Sequence, residues 1–135
     1  MSKVIITSGK RKRAVAQAKL VEGTGKILFN RVPLAFVNPE MLRLRLLEPL
    51  LLAPKYADKV NVVLTVHGGG LTGQIDAARL ALARALLVYA KHSDVLKKTF
   101  LSYDRQLLVA DIRRKEPRKP NRHGKARAKV QKSYR

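Results

Sequence analysis

The sequence predicts an α+β fold in which a β-sheet is covered by helices. Residues 60–67 alternate between apolar and polar side chains, as a strand with one buried face does. A glycine-rich segment follows at residues 68–73, and after it apolar side chains recur at helical spacing up to about residue 92. The chain has 135 residues, 46% of them hydrophobic, which suffices for one compact domain with its own core.

Short strands are also predicted near the start of the chain. Residues 3–7 are rich in β-branched side chains, and Ser8-Gly9 ends that run. Residues 14–21 have a composition that also suits a helix, but the segment is short and lies between glycine-containing loops, which favours a strand. After a turn at residues 22–25, a further strand is predicted at residues 26–30.

A helix is predicted to begin at Asn38-Pro39-Glu40. Asparagine is a favoured N-cap residue, proline suits the first helical position, and an early acid complements the helix dipole. We expect this helix to end near residue 47, and we expect Pro49 to start a short second helix.

The long helix after the glycines is predicted to pack on the sheet. Arg84 and Lys91 form a narrow basic line on its other side, where they are either solvated charges or contacts to a bound partner. A short helix capped by Asp94 is predicted at residues 95–100, and a last strand at residues 107–112. The predicted core positions of the long helix are Leu71, Ile75, Ala78, Leu82, Leu86 and Tyr89.

The net charge is the most unusual property of the composition. The 29 lysines and arginines stand against 9 acids and give +20, and a charge of that size repels itself unless a polyanion neutralises it. Nucleic acid is the commonest such partner, and an anionic membrane surface is the main competitor. No apolar stretch approaches the ~20 residues that cross a membrane, and no signal-peptide core is present. We therefore expect a soluble intracellular protein that binds nucleic acid and no membrane.

The charge is concentrated at the C-terminal end. Residues 113–135 hold 11 lysines and arginines but a single acid, Glu116, and Pro117 and Pro120 interrupt any helix there. With so few apolar side chains, this segment is expected to be extended and disordered in isolation. It is either a solvated tail or an arm that orders on RNA. The predicted organisation is a globular RNA-binding domain over residues 1–112 and a basic tail over residues 113–135.

Gly68, Gly70 and Gly73 match the G-x-G-x-x-G pattern of dinucleotide-binding loops. That fold needs an acid at the end of the next strand, whereas Asp94 follows the end of a predicted helix. A Walker phosphate loop needs lysine where this chain has Gln74. The chain has no cysteine, and its 3 histidines lack ligand spacing, so we predict no enzyme, cofactor or metal site. The glycines are instead expected to let backbone N–H groups at a helix N-terminus approach an RNA phosphate.

Three segments taken together indicate a protein family more specifically than any one of them does alone. Residues 9–16 are a basic segment, residues 68–74 are followed by an alanine-rich helix that carries Arg79 and Arg84, and the chain ends with Gln-Lys-Ser-Tyr-Arg at residues 131–135. Together these segments resemble the family of small-subunit ribosomal protein nine. The ending is similar to archaeal and eukaryotic members, and the lack of a Phe-Gly-Gly pattern before it favours an archaeal one.

The resemblance implies a fold like the second domain of small-subunit ribosomal protein five, in the head of the small subunit of the cytoplasmic ribosome. It implies binding to small-subunit ribosomal RNA, contacts with neighbouring ribosomal proteins and a tail that reaches peptidyl-site transfer RNA. The alternative is a free-standing RNA chaperone or a DNA-compacting protein. The candidate ribosomal RNA contacts are Lys10, Arg11, Lys12, Arg13, Gly68, Gly69, Gly70, Arg84, Arg113, Arg114, Arg118, Lys119, Arg122, Lys125, Arg127 and Lys129. By match of motif, the candidate transfer RNA contacts are Lys132, Ser133, Tyr134 and, above all, Arg135.

Overall fold

A computed structural model describes residues 4–128 and confirms the α+β fold, with a five-stranded sheet packed against helices. The strand order is β1-β2-β5-β3-β4. Neighbouring strands are antiparallel except β3 and β5, which are parallel. The strands are β1 (Ile5–Arg11), β2 (Ala14–Glu22), β3 (Ile27–Phe29), β4 (Val32–Pro33) and β5 (Val60–His67).

Strand β2 lies between β1 and β5 and carries small side chains toward the core. Ala14, Ala16 and Ala18 are buried there at alternate positions, so the segment that also suited a helix is a strand, as predicted. The small side chains leave room for a helix to lie close to the sheet. On β1, a Cβ atom added at Gly9 would lie 2.2 Å from the carbonyl oxygen of Ala77 in that helix.

The helices are α1 (Glu40–Leu52), α2 (Pro54–Ala57), α3 (Leu71–Tyr89) and α4 (Asp94–Tyr103), with 3-10 helices at Leu34–Phe36 and Arg105–Leu107. Helix α3 is the long helix predicted after the glycines, and it packs mainly against β1 and β2. Of its predicted core positions, Ile75, Ala78, Leu82 and Leu86 are buried and Tyr89 is half-buried, but Leu71 is 60% exposed. The Leu71 prediction is wrong because this residue opens the helix at the rim of a surface cleft, before the helix meets the sheet.

Helix α1 differs from its prediction at both ends. It begins at Glu40, with Pro39 as the N-cap residue in place of Asn38, and it continues through Pro49 to Leu52. Proline removes one backbone hydrogen bond from a helix, but Pro49 is buried beside Leu50, and this packing holds the helix together where the sequence predicted a break.

The predicted strand at residues 107–112 does not form. Leu107 is fully buried at the end of a 3-10 helix, and residues 108–112 contain no strand. The carbonyl oxygen of Leu108 accepts hydrogen bonds from Nε and Nη2 of Arg84, at 3.2 and 3.0 Å. A side chain thus satisfies an acceptor that a strand would offer to its neighbour.

The described part of the basic tail, residues 113–128, contains no helix or strand and is mostly exposed. Between residues 4 and 128, no helix is both long and apolar enough to span a membrane. The core is therefore built by the segment that ends near residue 112, and the tail leaves it along the surface.

Candidate nucleic-acid interface

Three separate segments of the chain meet around one surface cleft of about 950 Å³. They are the turn between β1 and β2, the glycine-rich segment with the start of α3, and the beginning of the tail. We call this the basic cleft. Its lining residues are Arg11, Lys12, Arg13, Gly69, Gly70, Leu71, Thr72, Gly73, Asp76, Arg113, Arg114 and Lys115.

The turn at the edge of the basic cleft is a tight hairpin. Strands β1 and β2 pair up to Arg11 and Ala14, so that only Lys12 and Arg13 remain for the turn. Lys12 has a φ of 53°, in the left-handed region, and both side chains are exposed. The basic residues between the predicted strands at residues 3–7 and 14–21 therefore lie partly in a strand, and Lys10 and Arg11 extend from β1 itself.

The glycine-rich segment packs against this hairpin turn. Gly68 and Gly69 have φ angles of 75° and 65°, and a Cβ atom at Gly68 would lie 2.6 Å from the carbonyl oxygen of Arg13. Gln74 donates a hydrogen bond from Nε2 to the Gly68 carbonyl at 3.1 Å. These two glycines are thus required by the fold, whereas no atom lies within 4 Å of a Cβ built on Gly70, the N-cap residue of α3.

Carboxylates tie the start of the tail to the body of the protein. Arg11 Nη1 lies 2.5 Å from Asp111 Oδ2, and Arg11 Nε lies 3.7 Å from Asp76 Oδ2. Asp111 also binds Arg113, whose Nη2 is 2.6 Å away and whose backbone N–H donates to Oδ1 at 2.9 Å. The hydrogen bonds from the Arg113 side chain and backbone, joined by the charge of Arg11, hold the pKa of Asp111 well below its usual range. Asp76 is further paired with Arg45 on α1, at 3.3 Å.

The bases of the basic cleft therefore fall into two groups. Arg11 and Arg113 are held by carboxylates. Within residues 4–128, no carboxylate oxygen lies within 4.0 Å of the side-chain nitrogens of Lys12, Arg13, Arg114 or Lys115. The second group is available to an anionic ligand without breaking an internal ion pair.

An ion-pair cluster around a buried arginine of α3 was not indicated by the sequence. Arg79, in α3, is only 5% exposed and binds Glu48 of α1 and Asp104 after α4. Its Nη1 lies 2.7 Å from Asp104 Oδ2. Burial raises the pKa of Asp104, but the Gln106 N–H and the Arg79 guanidinium outweigh it, and the net pKa is lowered. An arginine within an alanine-rich helix segment was the available signal, although its partners come from distant parts of the sequence.

Arg84, a candidate RNA contact, has partners inside the protein. Besides the Leu108 carbonyl, its Nη1 donates to the Ser8 carbonyl at 2.9 Å. The half-buried guanidinium thus joins α3, β1 and the segment leading to the tail. RNA contact by Arg84 stays a prediction.

The other predicted contacts lie along the tail. Arg118, Lys119, Arg122, Lys125 and Arg127 are within the described residues and away from the basic cleft lining. The predicted ribosomal RNA contact Lys129 and the predicted transfer RNA contacts Lys132, Ser133, Tyr134 and Arg135 lie outside the described residues.

Known proteins match the chain over almost its whole length. A family model described as ribosomal protein S9/S16 matches residues 9–135. The small ribosomal subunit protein uS9 of Methanococcus maripaludis is 47% identical over 134 residues, covering 98% of this chain and 99% of the relative. The small ribosomal subunit protein uS9 of Picrophilus torridus is 47% identical over 135 residues, covering 100% of both.

These matches define the class of the protein as a structural component of the ribosome and not an enzyme. The chain belongs to the ribosomal protein S9/S16 family. It is accordingly a protein of the small ribosomal subunit, which acts in translation in the cytoplasm. The family prediction is confirmed, and both relatives are archaeal, as the ending of the sequence indicated.

Proposed function

We propose that this chain binds small-subunit ribosomal RNA in the head of the subunit through its basic cleft and its tail. The convergence of three basic or glycine-rich segments on one cleft is the observation that carries the proposal. These segments lie far apart in the sequence, so their meeting is a property of the fold rather than of a local run of charge. The neighbouring ribosomal proteins of the head are the proposed protein partners.

Several features of the basic cleft suit RNA phosphates. The four cations Lys12, Arg13, Arg114 and Lys115 have no carboxylate partner among residues 4–128. The N-terminus of α3, with its unpaired backbone N–H groups, opens into the same cleft at Gly70. Arg11 and Arg113 pair with Asp111 and hold the tail against the cleft.

Replacing Lys12, Arg13, Arg114 and Lys115 together with serine is expected to weaken binding to small-subunit ribosomal RNA and to flatten its salt dependence. Each lost phosphate contact lowers the slope of log K against log salt by roughly 0.7–0.9, so the slope should fall by about 3. Filter binding at several salt concentrations measures it. The control replaces Lys55, Lys59, Lys97 and Lys98, four exposed lysines outside the cleft, and removes the same charge. Equal effects of the two variants would contradict a specific cleft.

The glycines allow a second test, because the fold requires some of them and not others. Gly68→Ala is expected to cost about 2 kcal/mol of stability, through its positive φ and the contact with Arg13. Gly70→Ala should change stability by less than about 0.5 kcal/mol, since lower chain entropy offsets a poorer N-cap. Its added methyl group should nevertheless weaken RNA binding by about tenfold, the equivalent of one lost hydrogen bond. Urea unfolding and filter binding give the two values, and unchanged RNA affinity of Gly70→Ala would show that RNA stays away from this residue.

We further propose that residues 132–135 contact the anticodon arm of peptidyl-site transfer RNA. The family resemblance of the ending supports this, and 23 residues, if fully extended, reach at most about 75–80 Å from the domain, a span that the Glu116–Arg127 ion pair shortens. An arginine at the end of the chain can form a forked pair of hydrogen bonds with a phosphate, whereas lysine offers only a point charge.

Deleting Tyr134 and Arg135 is expected to leave assembly of the subunit unchanged and to weaken peptidyl-site transfer RNA by about 1–2 kcal/mol. Transfer RNA dissociation from purified subunits with full-length or shortened protein measures the effect. Arg135→Lys keeps the charge, and its transfer RNA dissociation rate should lie between those of the full-length and the shortened protein. Equal dissociation rates for all three proteins would leave the ending without a role in transfer RNA binding.

A free-standing RNA chaperone or a DNA-compacting protein would carry a similar basic tail. Co-sedimentation with small subunits separates these functions from the proposed one. A chain that stays with the subunits at moderate salt is bound at a specific site, whereas a general polyanion binder is released as salt screens its charges.

A further inference from the structure

The basic tail turns back on itself between Glu116 and Arg127. The carboxylate of Glu116 accepts hydrogen bonds from both Nε of Arg127, at 2.9 Å, and Nη2 of the same guanidinium. Inside this closure the Lys119 N–H donates to the Lys125 carbonyl at 3.2 Å, and the Lys125 N–H donates to the Arg122 carbonyl at 3.0 Å. Residues 116–127 thus form a closed loop, which we call the tail loop.

The local sequence suits this loop. Asn121, His123 and Gly124 have φ angles of 60°, 50° and 70°, in the left-handed region that asparagine and glycine adopt most readily. Pro117 and Pro120 fix the backbone on the way into the turn. The closure is therefore encoded by turn-forming residues as well as by one ion pair.

Glu116 is the one acid among residues 113–135, and its position needs an explanation in an RNA-binding tail. A carboxylate repels phosphate, so on charge alone it weakens the binding that the rest of the tail provides. The hydrogen bonds from Arg127 lower the pKa of Glu116, so that it stays ionised and paired. The same pairing uses Arg127 and leaves Arg118, Lys119 and Lys125 as exposed bases of the loop, with Arg122 half-buried.

We propose that the tail loop is a preformed RNA-binding unit, closed by Glu116 and Arg127, that presents its remaining bases together to RNA phosphates. The inference rests on the proposed RNA-binding function and adds how this part of the tail binds. A loop that is closed before binding loses less chain entropy on the RNA than an open segment does. Glu116 in this role strengthens RNA binding although its charge opposes it.

The direction in which one substitution changes the affinity for RNA tests the proposal. Glu116→Gln makes the chain more positive, so a purely electrostatic tail should bind small-subunit ribosomal RNA more tightly. A tail loop that needs its closure should bind more weakly instead, by about twofold to fivefold, the range for losing an exposed ion pair. The upper limit is roughly 30-fold, the entropy of closing a flexible loop of this length. Filter binding of the full chain at fixed salt distinguishes the two outcomes.

A charge reversal supplies the matched control. Glu116→Arg combined with Arg127→Glu keeps the net charge and restores the ion pair in the opposite direction. It should bind within about twofold of the natural chain, whereas Arg127→Glu alone, with two like charges at the closure, should bind far more weakly. Tighter binding by Glu116→Gln, or no recovery in the double variant, would overturn the proposal.

Closure itself is measured by a distance. The chain has no cysteine, so cysteines placed at Lys115 and Ala128 can carry a pair of spin labels, and the loss of the Lys115 cation is the same in every variant compared. The labels should be close in the natural tail and in the charge reversal, and should spread toward the ~20 Å of a flexible segment in Glu116→Gln. If the natural chain binds RNA but closure has no effect, the tail loop is wrong and the proposed function stands. If the natural chain does not bind RNA, the proposed function fails.

Discussion

Replacing Arg79 with methionine is expected to lower the free energy of unfolding by about 3–5 kcal/mol, the range for removing one member of a buried ion pair. Arg79 is almost completely buried, between carboxylates that come from α1 and from the segment after α4. Because methionine fills a similar volume, the loss of stability reports the missing charge rather than a cavity. Without the guanidinium, Glu48 and Asp104 remain as two unpaired, half-buried carboxylates that no longer share a cation.

Urea unfolding followed by circular dichroism measures this loss. Arg105→Met is the matched control, because Arg105 is an exposed arginine next to Asp104 and has no ion pair within residues 4–128. Adding Glu48→Gln and Asp104→Asn to Arg79→Met removes the repelling charges and should recover most of the stability. A loss below about 1 kcal/mol in Arg79→Met would mean that the cluster contributes no more than a surface ion pair.

The regular part of the fold could be predicted from the sequence because it depends on local patterns. Strand β5 alternates in hydrophobicity along its whole length, and the apolar positions of α3 follow helical spacing. Strand β2 was marked by glycine-containing segments on either side of it, and β3 by the glycine-containing turn that precedes it. These signals are properties of adjacent residues, and they were sufficient for these elements and for the α+β class.

The errors arose where tertiary contacts outweigh local preference. Pro49 should end a helix, but burial beside Leu50 holds α1 together through it. The apolar run at residues 107–112 suits a strand, but Arg84 occupies the Leu108 carbonyl and Leu107 fills the core from a 3-10 helix. An arginine side chain that reaches a distant carbonyl leaves no trace in the sequence periodicity.

The candidate site was predicted in parts, and only the structure brings the parts together. The basic residues before β2, the glycines and the tail were each identified from the sequence, and the fold places all of them around one cleft. The acids Asp76 and Asp111 looked unremarkable, since a carboxylate among many bases has no fixed partner in a sequence. Their ion pairs with Arg11 decide which bases hold the tail and which remain available to RNA.

A chain that ends at residue 112 is expected to stay folded and to lose affinity for small-subunit ribosomal RNA by roughly a thousandfold or more. The removed segment carries 11 lysines and arginines against one acid. If six to eight of them contact phosphates, the slope of log K against log salt falls by about 4 to 6, at ~0.7 per contact. The core should be little affected, because Asp111 keeps its ion pair with Arg11 when Arg113 is absent.

A chain with residues 113–135 in scrambled order separates the effect of the tail's total charge from the effect of its residue order. It keeps the composition and the length, but it lacks the Glu116 closure and the turn residues of the tail loop. It should recover most of the salt slope, since counterion release depends on the number of phosphate contacts. It should recover less of the affinity at fixed salt and should fail to enter assembled subunits. If the shortened chain binds within threefold of the full chain, residues 113–135 are a solvated segment, and RNA binding belongs to the part of the basic cleft that lies before residue 113.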